Sequence, residues 1–85
     1  MTKITKQTVE QLLIPKGWKK RDFFEDYKSP DGRCELQYCS DSHLRDDTGF
    51  GWTILIDNSR HESLAFCYVE YIEQVETLIE MYKNY

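Results

Sequence analysis

Between Gly51 and Ile56 the side chains alternate, with Trp52, Ile54 and Ile56 on one face of an extended chain and Thr53 and Leu55 on the other. A period-two run of β-branched and aromatic residues fits a pleated surface, so it commits the middle of the chain to a β-sheet. Cys34, Leu36 and Tyr38 repeat the pattern against Glu35, Gln37 and Cys39, which turns the first three toward a core. Ahead of them, Ser29-Pro30-Asp31-Gly32 has the composition of a tight turn. The stretch from Trp18 to Tyr27 then reads as the other arm of a hairpin, with Phe23 and Phe24 favouring extended structure. Leu64 to Tyr68, after the turn residues Asp57 to His61, gives a fourth strand.

The two ends carry helical spacing instead. Thr5 is placed to cap a first helix, with Ile4 and Val9 at the positions of a hydrophobic staple and Val9, Leu12 and Leu13 on one face. Pro15 and Gly17 stop that helix near Leu13. At the other end Tyr68, Ile72, Val75, Ile79 and Tyr82 recur at spacings of three and four, opposite Glu70, Glu73, Glu76 and Glu80. The stripe is too short for a coiled coil and reads as a buried helix face. The predicted fold is α+β, ordered α-β-β-β-β-α: a four-stranded antiparallel sheet covered on one face by the N- and C-terminal helices. Residues 1–85 make one domain, since a chain of this length has room for a single core. The uncovered face and the sheet edges are left for a partner, a second copy or a target.

Composition narrows the function classes. A formal net charge of -4 opposes general affinity for a phosphate backbone, so no direct nucleic-acid binding is expected. No apolar run approaches a membrane span. Cys34, Cys39 and Cys67 are odd in number, lack CxxC spacing and follow no apolar leader, which predicts a reducing, cytoplasmic setting.

Several constellations invite chemistry. Asp57, Ser59 and His61 supply the atoms of a hydrolase triad, but residues so close in one turn cannot easily align them. Cys34, Cys39 and His43, with His61 or Cys67, have the ligand types of a metal site, yet Cys34 and Cys39 fall on opposite faces of a regular strand. Asp41, Asp46 and Asp47 form an acidic loop without the pattern of an EF-hand, and Ser40 to Gly49 as a whole reads as an exposed connection, mobile or ligand-dependent. Cys39, His43 and His61 are the only candidates for reactive groups, and neither catalysis, a cofactor nor a metal is expected. More promising are the rings Trp18, Phe24, Phe50 and Trp52 together with Lys19, Lys20, Arg21, Arg33, Arg45 and Arg60, since stacking plus cationic contacts holds single nucleotides. From these, Trp18, Lys20, Arg21, Trp52 and Arg60 are the expected ligand-binding residues.

The segment Gly51-Trp52-Thr53-Ile54-Leu55-Ile56-Asp57-Asn58, followed by Val69-Glu70-Tyr71-Ile72-Glu73-Gln74-Val75, resembles small accessory proteins of phages and prophages in gut Bacteroidales. The likeness covers mainly the last thirty-five residues, and its motifs carry no assigned catalytic role. The resemblance implies a small accessory protein encoded on a mobile element and working in the bacterial host cytoplasm, by binding stoichiometrically to a host defence component, a polymerase factor or a small signalling nucleotide. Two expectations follow: sequestration of a small nucleotide-like ligand, or inhibition of a host protein through the acidic helix or the sheet. A ligand pocket in so small a domain is easiest to build between subunits, so a homo-oligomer is expected.

Overall fold

The computed structural model describes residues 1–21, 26–40, 42 and 44–85. Helix α1 (Lys6–Leu12) is followed by a 3-10 turn (Ile14–Lys16), then strands β1 (Lys19–Lys20), β2 (Asp26–Lys28), β3 (Cys34–Cys39), β4 (Gly51–Asp57) and β5 (Ser63–Val69), and helix α2 (Ile72–Tyr82). The strands form one antiparallel sheet in chain order. The α+β class is as read from the sequence, but the sheet has five strands rather than four. A six-residue β3 is about 20 Å long at 3.4 Å per residue, too short to pair with all ten residues from Trp18 to Tyr27. Its described residues pair with one another instead, with Lys19 opposite Lys28, Lys20 opposite Tyr27, and the Arg21 N–H donating to the Asp26 carbonyl at 2.9 Å. Phe23 and Phe24, invoked for the hairpin arm, lie outside the described residues, as do Asp41 and His43.

Register explains the core. Tyr27, Leu36, Ile54 and Cys67 align across β2 to β5, and Cys34, Ile56 and Ala65 align beside them, so one face of the sheet is apolar along its width. Val9 and Leu13 from the first helical turn region, with Ile72 and Val75 from α2, join the same buried cluster. Leu12, expected to share the face of Val9, is 39% exposed, because the chain tightens into the 3-10 turn where Pro15 interrupts the helix. Thr5 caps α1 through a reciprocal capping box with Thr8, and both staple residues, Ile4 and Val9, are buried. Tyr68 belongs to β5, not to the stripe of α2.

Among the described residues no helix lies on the opposite face of the sheet, which carries Glu35, Gln37, Leu55, Phe66 and Tyr68 around a fully buried Thr53, with Phe66 and Tyr68 meeting edge to face at 5.6 Å. Ser29-Pro30-Asp31-Gly32 forms the turn read from the sequence, closed by the Gly32 N–H donating to the Ser29 carbonyl at 2.9 Å. The adjoining Arg33 donates to the carbonyls of Asp57, Tyr82, Lys83 and Tyr85, tying the end of α2 to the end of β4. This satisfies carbonyls that a helix C-terminus otherwise leaves without partners.

The first residues take a role that no local pattern announces. The Ile4 N–H donates to the Glu70 carbonyl at 2.9 Å and the Ile72 N–H to the Thr2 carbonyl at 2.8 Å, so Lys3 pairs with Tyr71 in an isolated bridge. The first residues are thereby fastened to the junction of β5 and α2.

Candidate functional site

After β3, Ser42 and residues 44–50 are tied by hydrogen bonds to the sheet and to one another. Ser42 is fully buried, receives the Leu44 N–H at 3.2 Å on its Oγ and donates that hydroxyl to the Trp52 carbonyl at 3.4 Å. Asp46 then builds a tight turn: its carboxylate accepts the Thr48 N–H at 2.8 Å and the Thr48 hydroxyl, and its own N–H donates to the Phe50 carbonyl at 2.7 Å. The Tyr38 hydroxyl, from the end of β3, donates to the other carboxylate oxygen. Gly49 completes the turn at φ 85°, a left-handed backbone that suits glycine. Asp46-Asp47-Thr48-Gly49 carried the signal for this, since an Asp side chain readily bonds to backbone two residues on. Residues 44–50 are exposed, as expected of a connection, and these bonds give their backbone a defined turn.

The consequence is a row of three rings. Tyr38 lies 4.9 Å from Trp52 and 5.6 Å from Phe50, centroid to centroid. Together with Ile4, Thr5 and Lys6 on the facing side, these rings line a groove of about 410 Å³. Asp46 and Thr48 close one wall. A narrow recess of about 40 Å³ shares Ile4, Asp46, Phe50 and Trp52 with the groove and adds Lys3 and Arg45. The Arg45 Nε–H donates to the Ser42 carbonyl at 2.9 Å, which holds the guanidinium beside the loop. Lys6 with Asp46 lines the groove, and Lys3 and Arg45 with Asp46 and Glu70 line the recess, so cations match carboxylates here in a chain that is acidic as a whole.

Hydrogen bonds from Thr48, and next from Tyr38, hold the Asp46 carboxyl down to about 2. The same contact pushes the Tyr38 phenol up, because a neighbouring carboxylate opposes phenolate. A depressed folded-state value means that Asp46 stabilises the loop fully above its ordinary value of 3.8 and ceases to do so as pH falls through about 2. The Thr48 amide signal in an NMR titration is therefore expected to move with a midpoint near 2. A midpoint near 4, the ordinary aspartate value, would mean that the turn is not held by this carboxylate.

The five residues expected to bind ligand do not converge. Trp52 lies in the groove, 6% exposed, with most of its ring covered by Tyr38, Tyr27 and the core. Trp18 is 5% exposed within the same core. Lys20 is exposed on β1, while Arg21 is held by Glu35 at 3.1 Å and Asp26 at 3.7 Å. Arg60 sits in the turn between β4 and β5, at the end of the strands away from Trp52. There Asn58 Oδ1 accepts the N–H groups of Arg60 and Glu62, each at 2.9 Å. Tyr38, Phe50 and Lys6 line the groove beside Trp52, and Arg45 lines the adjoining recess. Phe50 and Arg45 were among the rings and cations weighed from the sequence, whereas Tyr38 and Lys6 offered no local sign.

The other constellations dissolve on inspection. No hydrogen bond joins Asp57, Ser59 and His61, and His61 takes φ 62° with its N–H donating to the Asn58 carbonyl. Cys34 is buried on the helix-covered face, which pushes its thiol up, whereas Cys39 sits on the open face 3.8 Å from the Thr53 hydroxyl. Among the described residues no three His, Cys, Asp or Glu side chains gather as they would around a metal. Among the described residues no helix is long and apolar enough to cross a membrane. Comparison with protein-family models, curated proteins and solved structures gives no match to the chain.

Proposed function

We propose that this chain is a non-enzymatic binding protein that sequesters a small phosphorylated ligand of the nucleotide class in the ring-lined groove. One observation carries the reading: Tyr38, Phe50 and Trp52 stand side by side in an opening of about 410 Å³ rimmed by Lys6, with Lys3 and Arg45 in the adjoining recess. That volume falls in the usual range for small-molecule sites, roughly 300 to 1,000 Å³. Phe50 is 42% exposed, so a flat base has a ring to cover, and the cations offer partners to phosphate. Asp46 restricts the pose, because its ionised carboxylate repels phosphate. The phosphate is therefore placed toward Lys6 or Arg45, and the base toward Phe50.

The resemblance to phage accessory proteins supports a biological sense for such a site: removing a nucleotide signal of host immunity by binding it one to one. The proposed ligand-binding set is Lys6, Tyr38, Arg45, Phe50 and Trp52, in place of one spread over both ends of the sheet. Native mass spectrometry of the chain purified from a bacterial host, before and after heat release, tests the reading through the mass of any carried molecule. Against added adenosine and guanosine monophosphates, Phe50→Ala is expected to weaken binding about 10-fold, since one base-ring contact contributes about 1 to 3 kcal/mol. Equal affinities for the wild type and Phe50→Ala would remove the groove as the site.

A further inference from the structure

The corner where the Asp46 turn meets the end of β3 has its hydroxyl hydrogens engaged. The Tyr38 hydroxyl gives its hydrogen to Asp46 Oδ2. The Thr48 hydroxyl gives its own to Asp46 Oδ1, beside the Thr48 N–H. The two hydroxyl oxygens lie 3.0 Å apart, and whichever way the hydrogens are shared among the three groups, none is left for a ligand. Both oxygens keep lone pairs, as does Oδ2, which takes a single bond here and has a further site for a donor. Asp46 adds no donor of its own, since its carboxyl is held down to about 2 and is ionised at neutral pH. These side chains therefore offer a ligand acceptors and nothing else.

Tyr38, Asp46 and Thr48 line the groove together with Phe50. The Asp46 N–H donates to the Phe50 carbonyl at 2.7 Å, so the carboxylate and the exposed ring flank one turn. A base stacked on Phe50 thus turns an edge toward the acceptors. We propose, resting on the nucleotide reading of this groove, that the base it selects is guanine, with the N1–H and the 2-amino group donating to Asp46 Oδ2 and to a hydroxyl oxygen of the same corner.

Guanine alone among the common bases sets two donors side by side on one edge. The amino groups of adenine and cytosine each stand next to a ring nitrogen that accepts, and the uracil N–H lies between two carbonyl oxygens. Set against this corner, each of those acceptors would meet another acceptor and lose its bond to water without replacement. The phosphate is turned away for the same reason, toward Lys6. Exposure sets the size of the preference. Asp46 is open to water, which competes for the same lone pair, so selection is about 10-fold and far from the roughly 10,000-fold of an enclosed polar site.

Calorimetric titration of the full chain with guanosine, inosine and adenosine monophosphates tests the assignment. Guanosine monophosphate is expected to bind about 10-fold more tightly than adenosine monophosphate. Inosine monophosphate, which keeps the N1–H and lacks the 2-amino group, falls between them. Asp46→Asn places an amide group beside the hydroxyls and is expected to bring the guanosine and adenosine compounds to the same affinity. Amide shifts of residues 44–50 report whether that variant keeps its turn; should it not, the three ligands on the wild type decide alone. Equal affinities for guanosine and inosine monophosphates, or an adenosine monophosphate bound as tightly as either, would overturn the assignment. If Phe50→Ala still weakens binding in that case, the groove stands as the site and guanine alone is lost. Binding of none of the three removes both.

Discussion

Trp52→Ala is expected to destabilise the chain by about 3 to 5 kcal/mol, more than any change on the groove's rim. The indole is 6% exposed, packs on Tyr38 at 4.9 Å and reaches Tyr27 at 6.2 Å, so truncation empties a volume that several strands surround. A domain of this length has a total stability of about 4 to 13 kcal/mol, and each kcal/mol shifts its Tm by about 4 to 8 °C. Thermal unfolding followed by circular dichroism should thus show a Tm lower by about 15 °C or more. Phe50→Ala serves as the contrast, since a ring 42% exposed costs about 1 kcal/mol to remove. The two neighbours separate fold from ligand contact: one change lowers stability, the other lowers affinity. A Tm loss below about 5 °C for Trp52→Ala would show that this ring is not part of the core.

The second large effect belongs to Gly51→Ala. A Cβ there would stand 2.4 Å from the Leu44 carbonyl oxygen, 2.7 Å from Ser42 Oγ and 2.9 Å from the Leu44 carbonyl carbon. Two of the three atoms are backbone, so no side-chain rotation relieves the clash. The loop must retreat, and retreat breaks the Ser42 contacts to Leu44 and Trp52 and draws Phe50 off Tyr38. Overpacking of this kind costs about 1 to 3 kcal/mol. The effect on the groove is larger than that figure suggests, because one wall moves as a unit. Mononucleotide binding is expected to fall at least about 10-fold, with amide shifts in residues 44–50 and little change in α1 or α2. Unaltered shifts in that loop would contradict its packing on Gly51.

These residues also mark how far the sequence could be read. Period-two runs revealed β3 and β4 because their side chains alternate between a packed and an open face, and Thr5 announced its helix through local capping chemistry. The two-residue β1 has no period to detect, so the strand count came out one short. The bridge from Lys3 to Tyr71 joins residues from the two ends of the chain, and only tertiary packing creates it. The groove was hidden for the same reason: Tyr38, Phe50 and Lys6 come together only after the loop folds onto β3 and the N-terminus is pinned at Glu70. Trp18 and Arg21 carried the right chemistry, but burial and ion pairing engaged them elsewhere.

The ligand site proposed above lies at the Trp52 end of the sheet, between the loop at residues 44–50 and the fastened N-terminal residues. An NMR titration of the wild-type chain with adenosine monophosphate, followed residue by residue, addresses it most directly. Saturable shifts gathered on Tyr38, Phe50, Trp52 and residues 3–6, with Lys20 and Arg60 still, are the expected result. Shifts centred on Lys20 or Arg60, or none with any mononucleotide, would contradict it.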